Sequence, residues 1–260
     1  MKLSTSLNNF KINHRKKNSQ TIYFAENCKD YTFVENLYKF ILAQKNSFIF
    51  ESVEKGKIRG RYTIIGYNPD KIYNITKNKV IIDNFKKKKI IKTNTLHYLN
   101  NLVKNFKVKS SSELPRMSSM LVGYFSYDII RLIEKISDKC KNDMNIPDIR
   151  LLRPKNLIIY DNLKKKIFYI HNIFQDEKIE NYELTYNLIS KSFKELQNLG
   201  KIKLPEHFHR NRKAVNIKSN ISKIKFKRNI LKAKNYIKKG DIFQVVLSQR
   251  FEAEIEKPPL

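Results

Sequence analysis

The sequence predicts an α+β fold in which antiparallel sheets pack against helices, and three observations favour it. Short apolar runs bounded by turn residues come in hairpins, which is typical of antiparallel strands. Amphipathic helical segments lie among these runs without the strict strand–helix alternation of a doubly wound parallel sheet. The chain has 260 residues, of which 41% are hydrophobic, so it can form a core for one or two domains.

The first half of the chain predicts two helices and a series of strands. Apolar spacing predicts a helix over Val34–Gln44, and Asn68-Pro69 indicates a turn. From the N-terminus we expect a loose lead-in over 1–20, the first helix, strands over Ser47–Ser52 and Arg61–Gly66, a three-stranded meander over Lys71–Thr93 and a helix over Leu96–Phe106.

The second half predicts four more strands and three helices. Gly123 lies inside an apolar strand, which indicates a bulge or a close backbone approach. We expect a strand over Met120–Tyr127, helices over Asp128–Ile136, Ile179–Leu199 and Ser222–Lys239, a hairpin of Asn156–Tyr160 with Lys166–His171, and a last strand over Ile242–Phe251. Gly200 and Gly240 end the two long helices. The predicted organisation is a domain over 1–205, a linker over 206–221 and the start of a second domain over 222–260.

The strongest compositional signal is a formal net charge of +29. Such a charge attracts phosphate, so nucleic-acid binding is one reading. The other is A/T-rich coding, because the chain is rich in Lys, Asn and Ile and its lysines are spread over its whole length. Tracts such as Lys86–Lys89 and Lys164–Lys166 fall where strand turns would expose them. We expect no specific nucleic-acid partner.

Cysteines, histidines and hydropathy exclude several classes of protein. Two cysteines, Cys28 and Cys140, form no disulfide framework and suit a reducing compartment. The five histidines lack metal-ligand spacing, and we expect no metal site in this chain. No apolar run reaches the roughly 18 residues of a membrane span, and the N-terminus lacks a secretory signal, so we expect a cytoplasmic protein without a membrane partner.

Three segments carry a resemblance to a known family. Residues 240–251, GDIFQVVLSQRF, strongly resemble the entry of the chorismate-binding domain of anthranilate synthase component I. Residues 50–54, FESVE, followed by 60–66, GRYTIIG, resemble that family's tryptophan-sensing segment. Residues 121–128, LVGYFSYD, with Pro147-Asp148, resemble its middle segment. The three occur in the family's order and with its approximate spacing.

The resemblance implies a reaction, a cofactor and partners. Such enzymes convert chorismate and ammonia to anthranilate and pyruvate with Mg²⁺, as the first step of tryptophan synthesis. The ammonia comes from a glutamine amidotransferase subunit, anthranilate synthase component II. It adds at ring carbon 2 while the hydroxyl at carbon 4 leaves, and pyruvate is then eliminated. L-tryptophan inhibits the enzyme.

The resemblance also implies site residues, each with a plainer alternative. Gln244 occupies a position where isochorismate-forming relatives carry a water-activating lysine, and a neutral amide cannot act as that base. Arg250 suits a substrate carboxylate, or equally a surface ion pair. Glu51 and Ser52 match the tryptophan-binding segment, with Arg61 and Tyr62 as further candidates for that pocket. The alternatives are a strand-capping amide for Gln244 and a backbone-bonded hydroxyl for Ser52.

The chain departs from the family in length, and two other functions stay open. Family members are much longer, so we expect the Mg²⁺ ligands beyond residue 260 and predict that the isolated chain is inactive. Aminodeoxychorismate synthase component I, which aminates carbon 4, is the nearest alternative enzyme. A non-catalytic module that senses tryptophan or acts as a scaffold is the alternative from another class.

Overall fold

A computed structural model describes residues 2–42, 44–51, 60–138, 144–201 and 216–254. The chain divides into two compact units, Met1–Leu204 and Pro205–Leu260. The expected linker lies largely outside the described residues, as do Ser52 and Cys140.

The first unit is built on one eight-stranded sheet. Its strands are β1 (Gln20–Asn27), β2 (Phe48–Phe50), β3 (Tyr62–Thr76), β4 (Lys79–Asp83), β5 (Lys88–Lys92), β6 (Val122–Phe125), β7 (Ile149–Asp161) and β8 (Lys166–Ile173). The order is β1-β8-β7-β3-β4-β5, while β2 pairs with β3 and β6 pairs with β7. Every strand pair among the described residues is antiparallel, which confirms the predicted antiparallel sheet.

Four α-helices and a 3-10 helix complete the described part of this unit. The α-helices are α1 (Leu7–Arg15), α2 (Tyr31–Leu42), α3 (Thr95–Asn105) and α4 (Tyr182–Gly200). Side-chain oxygens of Ser6, Asn94 and Asn181 accept backbone N–H groups at the starts of α1, α3 and α4. Each cap satisfies an N–H that the helix itself leaves without a partner.

The middle of the sheet is buried on both faces, and strand alternation divides its apolar residues. Ile65 on β3 and Ile158 on β7 face the cluster that α1, α2 and α4 cover. Their neighbours Ile64 and Leu157 face a second cluster that includes Leu114. A third cluster joins the outer halves of β3 and β7 to α3. This alternation follows from the two-residue period of side chains along a strand.

A bulge in β3 replaces the turn predicted at Asn68-Pro69. The pairing with β7 shifts between Pro69, opposite Pro154, and Lys71, opposite Arg153, so Asp70 is the extra residue. The two predicted strands are therefore one strand. The turn prediction was wrong because a β-bulge tolerates the same turn-forming residues within a continuous pair.

The predicted loose lead-in was also wrong. Residues 7–15 form α1, and β1 pairs along its whole length with β8. Phe10 is fully buried, with its ring centroid 5.6 Å from that of Tyr182. The hydropathy pattern did not predict β1, because this strand also buries polar side chains. One of them, Thr21, donates a hydrogen bond to Asn172 at 3.0 Å. Contacts with residues far along the chain stabilise this segment, which lacks the periodic spacing of apolar residues that would have predicted it.

Two helix ends differ from expectation. A 3-10 helix over Tyr127–Leu132 replaces the predicted helix Asp128–Ile136, because the segment buries no residue against the fold. Gly200 is the last residue of α4 and does not cap it. A Cβ atom there would lie 2.3 Å from the Phe33 ring, so the position requires a small residue. The basic residues Lys86, Lys87, Lys164 and Lys165 are exposed at strand turns, as expected, whereas Lys88, Lys89 and Lys166 lie within strands and Lys166 is partly buried.

Over residues 216–254, the second unit contains one helix and a two-stranded ribbon. Its elements are β9 (Ile217–Ser219), α5 (Lys223–Lys238) and β10 (Phe251–Ala253), and β9 pairs with β10. Ser222 caps α5, and Gly240 follows it with a φ of +80°, as its predicted helix-ending role requires. The strand predicted over Ile242–Phe251 was wrong, because pairing with β9 reaches back only to Phe251.

Substituting Gly123 tests the close approach of β6 to β7. A Cβ atom at Gly123 would lie 1.8 Å from the carbonyl oxygen of Arg150, so Gly123→Ala must displace the strand. We expect the free energy of unfolding to fall by about 1–3 kcal/mol, as in overpacked sites. Tyr124→Ala, on the same strand, is the control and should cost less than 1 kcal/mol. Equal losses in urea denaturation would contradict the steric account.

Candidate functional site

The two parts of the predicted tryptophan-sensing segment lie side by side. Phe48–Phe50 pairs with Ile64–Gly66, so the chain leaves β2 at Glu51 next to the beginning of β3. Tyr31 of α2 donates a hydrogen bond to the Glu51 carboxylate, and its hydroxyl lies 3.3 Å from the Thr63 hydroxyl. Glu51 is thus held at the strand end, while Ser52 lies outside the described residues.

Arg61 forms a two-point ion pair at the same edge. Its Nε donates to Asp161 Oδ1 at 3.0 Å and its Nη2 to Oδ2 at 2.6 Å. The guanidinium carbon lies 4.8 Å from the centre of the Tyr62 ring. Tyr62 also pairs with Asp161 in the sheet register, so the three residues form one cluster.

Asp161 stays ionised in this cluster. Its burial works to raise the pKa, but hydrogen bonds from Arg61 and from the backbone N–H groups of Lys164 and Leu163 lower it overall. The Arg61 pKa is raised in turn, chiefly by its hydrogen bonds to Asp161. Because Asp161 accepts hydrogen bonds from both Nε and Nη2 of Arg61, the Arg61 side chain is used within the protein itself. The ion pair joins the β7–β8 turn to the beginning of β3.

The two parts of the middle segment are also in contact. The backbone N–H of Ser126, just after β6, donates to the carbonyl of Asp148 at 2.7 Å. The Asp148 carboxylate accepts the N–H of Lys77 at 2.8 Å. Asp128 pairs with Arg131 within the 3-10 helix. This segment therefore joins β6, β7 and the β3–β4 turn.

The other two predicted site residues belong to the second unit. Gln244 is exposed and lies between α5 and β10 in a segment without regular secondary structure. Arg250 is half-buried, and its Nε donates to Glu252 Oε1 at 2.9 Å. The backbone N–H of Arg250 donates to the Asn220 side chain, which anchors the end of this segment beside β9.

The structure adds three residues that the sequence did not indicate for the first unit. Tyr31 holds Glu51 and Asp161 holds Arg61, each through a contact that spans many positions of the chain, and Thr63 lies beside the Tyr31 hydroxyl. Of these three residues, only Asp161 was indicated by the sequence, which predicted it as a hairpin-turn residue. Contacts from a separate helix and a separate hairpin leave no local pattern.

The described residues form neither a metal-binding cluster nor a membrane-spanning helix. Among them, no group of three or more His, Cys, Asp or Glu side chains could hold a metal ion. Mg²⁺ prefers carboxylate oxygens, and these residues do not supply a set that fits it. Nor does any described helix have the length and apolar character needed to cross a membrane.

Comparison with known proteins places the chain in a family. The family of chorismate binding enzymes matches residues 45–260, which take in most of the first unit and all of the second. The chain therefore belongs to the chorismate-binding enzymes. It is similar to anthranilate synthase component 1 of Acetivibrio thermocellus, with 34% identity over 230 residues that cover 86% of this chain and 46% of that protein.

Two further comparisons agree. Anthranilate synthase component 1 of Aquifex aeolicus is 34% identical over 223 residues, covering 84% of this chain and 45% of that protein. The crystal structure of anthranilate synthase component I from Streptococcus pneumoniae TIGR4 superposes with a TM-score of 0.61 at 26% identity, covering 83% of this chain and 46% of that one. The chain spans about half the length of the relatives it matches.

One histidine on the sheet makes folding sensitive to pH. His171 of β8 is paired with Asn156 of β7, and its Nδ1 lies 2.5 Å from the side-chain oxygen Oδ1 of Asn156. Desolvation lowers the pKa of His171 to about 3, and the positive charge of Lys155 adds to that effect. The imidazole is thus neutral in the folded protein at neutral pH.

The His171 pKa predicts a loss of stability in mild acid. An unfolded histidine takes up a proton below about pH 6.5, whereas folded His171 stays neutral down to about pH 3. The free energy of unfolding should therefore decrease as the pH falls through this window, because the unfolded state binds more protons. Urea denaturation from pH 7 to pH 4.5 should show a shallower decrease in His171→Gln. Replacing the exposed His97 in the same way should leave the slope unchanged, and equal slopes in both variants would refute the assignment.

Proposed function

We propose that this chain is part of an anthranilate synthase of the component I type, which converts chorismate and ammonia to anthranilate and pyruvate. The observation that carries the proposal is the family match over residues 45–260, together with identities of up to 34% to proteins named for this activity. The match extends over residues 240–251, where the resemblance to the chorismate-binding domain is strongest.

In this proposal the first unit is regulatory and binds L-tryptophan beside β2. Glu51 and Ser52 supply the polar contacts there, and the carboxylate of Glu51 suits the ammonium group of an amino acid. Tyr31 fixes Glu51 in position. Arg61 and Tyr62 act through the Asp161 cluster, which holds the start of β3 where the pocket forms. Feedback inhibition would then begin at the β2–β3 pair.

The second unit begins the catalytic domain in this proposal. None of the residues of α5 is buried, although Ile224 and Leu231 are apolar. Phe243 is 93% and Val246 81% exposed. The described part of this unit, residues 216–254, buries no residue, and its apolar side chains would gain stability by packing on further sequence. We propose that the remaining part of a chorismate-binding domain covers them.

Gln244 and Arg250 receive chemical roles in that completed site. The amide of Gln244 cannot take a proton from water at neutral pH, so the nucleophile is ammonia, which attacks without such a base. Ammonia supplies the new C–N bond at ring carbon 2, hydroxide leaves from carbon 4, and elimination of pyruvate makes the ring aromatic. Arg250 binds a carboxylate of chorismate through its planar guanidinium. Mg²⁺ would be held by residues outside the part of the chain that the structure describes.

Two alternatives make different predictions about products and partners. An aminodeoxychorismate synthase would attach nitrogen at carbon 4 and retain the pyruvyl group. A tryptophan-sensing or scaffold module would bind tryptophan or the amidotransferase subunit without turnover. The relatives named for anthranilate synthesis favour the first function over both alternatives.

A chimeric enzyme tests the proposal. Residues 1–260 replace the matching part of the Acetivibrio thermocellus protein, and anthranilate fluorescence is followed with chorismate, Mg²⁺ and ammonium. We expect anthranilate from the chimera, none from the isolated chain, and at least a tenfold loss in the Gln244→Ala chimera. Asn235→Ala, on the exposed surface of α5, is the matched amide control and should retain activity.

The outcomes separate the hypotheses. Aminodeoxychorismate as the product, identified by mass, would support the alternative enzyme. A folded chimera that binds tryptophan in calorimetry but consumes no chorismate would support the sensing module. Turnover by the isolated chain would contradict the proposal that the catalytic site is completed by further sequence.

A further inference from the structure

A second candidate binding site lies in the first unit, away from the tryptophan-sensing segment. A cavity of about 170 Å³, open to solvent on one side, lies between the C-terminal end of α3, strands β3 and β7, and the residues that follow β8. Its wall includes Lys71 and Tyr73 of β3, Arg153 of β7 and Phe106 after α3. We call it the α3 cavity.

Arg153 is built into the wall of the α3 cavity with a defined orientation. It is 8% exposed, and its guanidinium carbon lies 4.0 Å from the centre of the Phe174 ring. Its Nε donates to Asp70 at 2.8 Å and its Nη2 to Asp176 at 2.9 Å. Among the described residues, no acceptor engages Nη1. The bulge in β3 supplies Asp70, so the backbone irregularity serves to fix this guanidinium.

The charges around the α3 cavity favour an anion. Lys71, Lys107 and Arg153 line it, against the single carboxylate of Asp176. Burial works to raise the pKa of Asp176, but hydrogen bonds from Lys71 and Arg153 lower it overall, so this carboxylate is charged. If Asp70, which binds Arg153, is counted as well, three cationic side chains face two carboxylates. A negatively charged ligand would balance the site.

The remaining wall of the α3 cavity combines an aromatic and aliphatic part with the polar residues Ser19, Asn105 and Gln175. The ring centroids of Phe106 and Phe174 are 6.1 Å apart, with Leu102 and Tyr73 beside them. An engineered apolar cavity of about 150 Å³ is known to hold benzene, so the α3 cavity has room for one six-membered ring. Aromatic rings pack favourably against one another at such distances.

We propose that the α3 cavity binds a monocyclic aromatic carboxylate, with its ring against Phe106 and Phe174 and its carboxylate on Arg153 Nη1 and Lys71. A ligand there would join the end of α3 to β3 and β7. Anthranilate belongs to this chemical class, so the cavity would sense the product; this last link alone rests on the proposed function.

Calorimetry with benzoate tests the proposal on the complete 260-residue chain. Benzoate and 2-aminobenzoate should bind, and benzyl alcohol and inorganic phosphate, which carry only the ring or only the charge, should bind at least tenfold more weakly. Leu102→Trp fills the cavity and Lys71→Met removes a cation, so each should weaken benzoate binding at least tenfold. Lys79→Met, on the exposed surface of β4, is the lysine control and should leave the affinity unchanged.

Amide chemical shifts of the unsubstituted chain provide a second test that does not depend on the folding of a variant. Benzoate should shift the amides of Tyr73, Phe106 and Arg153. Absence of binding, phosphate binding as tight as benzoate binding, shifts confined to other regions, or full affinity in folded Leu102→Trp would each overturn the proposal. None of these measurements involves turnover, so failure here leaves the proposed function standing.

Discussion

The antiparallel pairing of β3 with β7 is the constraint on which the first unit depends. The two strands are 15 and 13 residues long and stay paired from Tyr62–Asp161 to Ile75–Ile149. Both faces of this pair are covered by apolar clusters. Because a slip of one residue would exchange the two faces, burial on both sides specifies the register.

Two ion pairs reinforce that register at different points. Arg61 binds Asp161 where the pair begins, and Arg153 binds Asp70 at the bulge. A buried ion pair contributes little net stability, because desolvation of the charges offsets their attraction, but removing one partner leaves a costly unpaired charge. The pairs therefore select one alignment. The same alignment places β2 and Glu51 beside β3, and it forms the α3 cavity next to the bulge.

Periodicity predicted the parts of the fold that local sequence determines. The helix around Leu37, the meander after Lys71, the long helix before Gly200 and the Asp161 hairpin were all recognised. The lead-in, the bulge and the last strand were not, because each depends on partners far along the chain or on pairing that is limited to three residues. The same holds for the site: motifs indicated Glu51 and Arg61, whereas the contacts by which Tyr31 and Asp161 hold these residues were found only in the structure.

Native-state hydrogen exchange measures most directly whether the β3–β7 pair governs the first unit. The hydrogen-bonded amides within Ile64–Tyr67 and Asn156–Ile159 should exchange last, and only through global unfolding, since opening the pair exposes all three apolar clusters. Amides of α4 and β1 should exchange earlier, through partial opening. Longer protection in α4 or β1 than in both central strands would contradict this account.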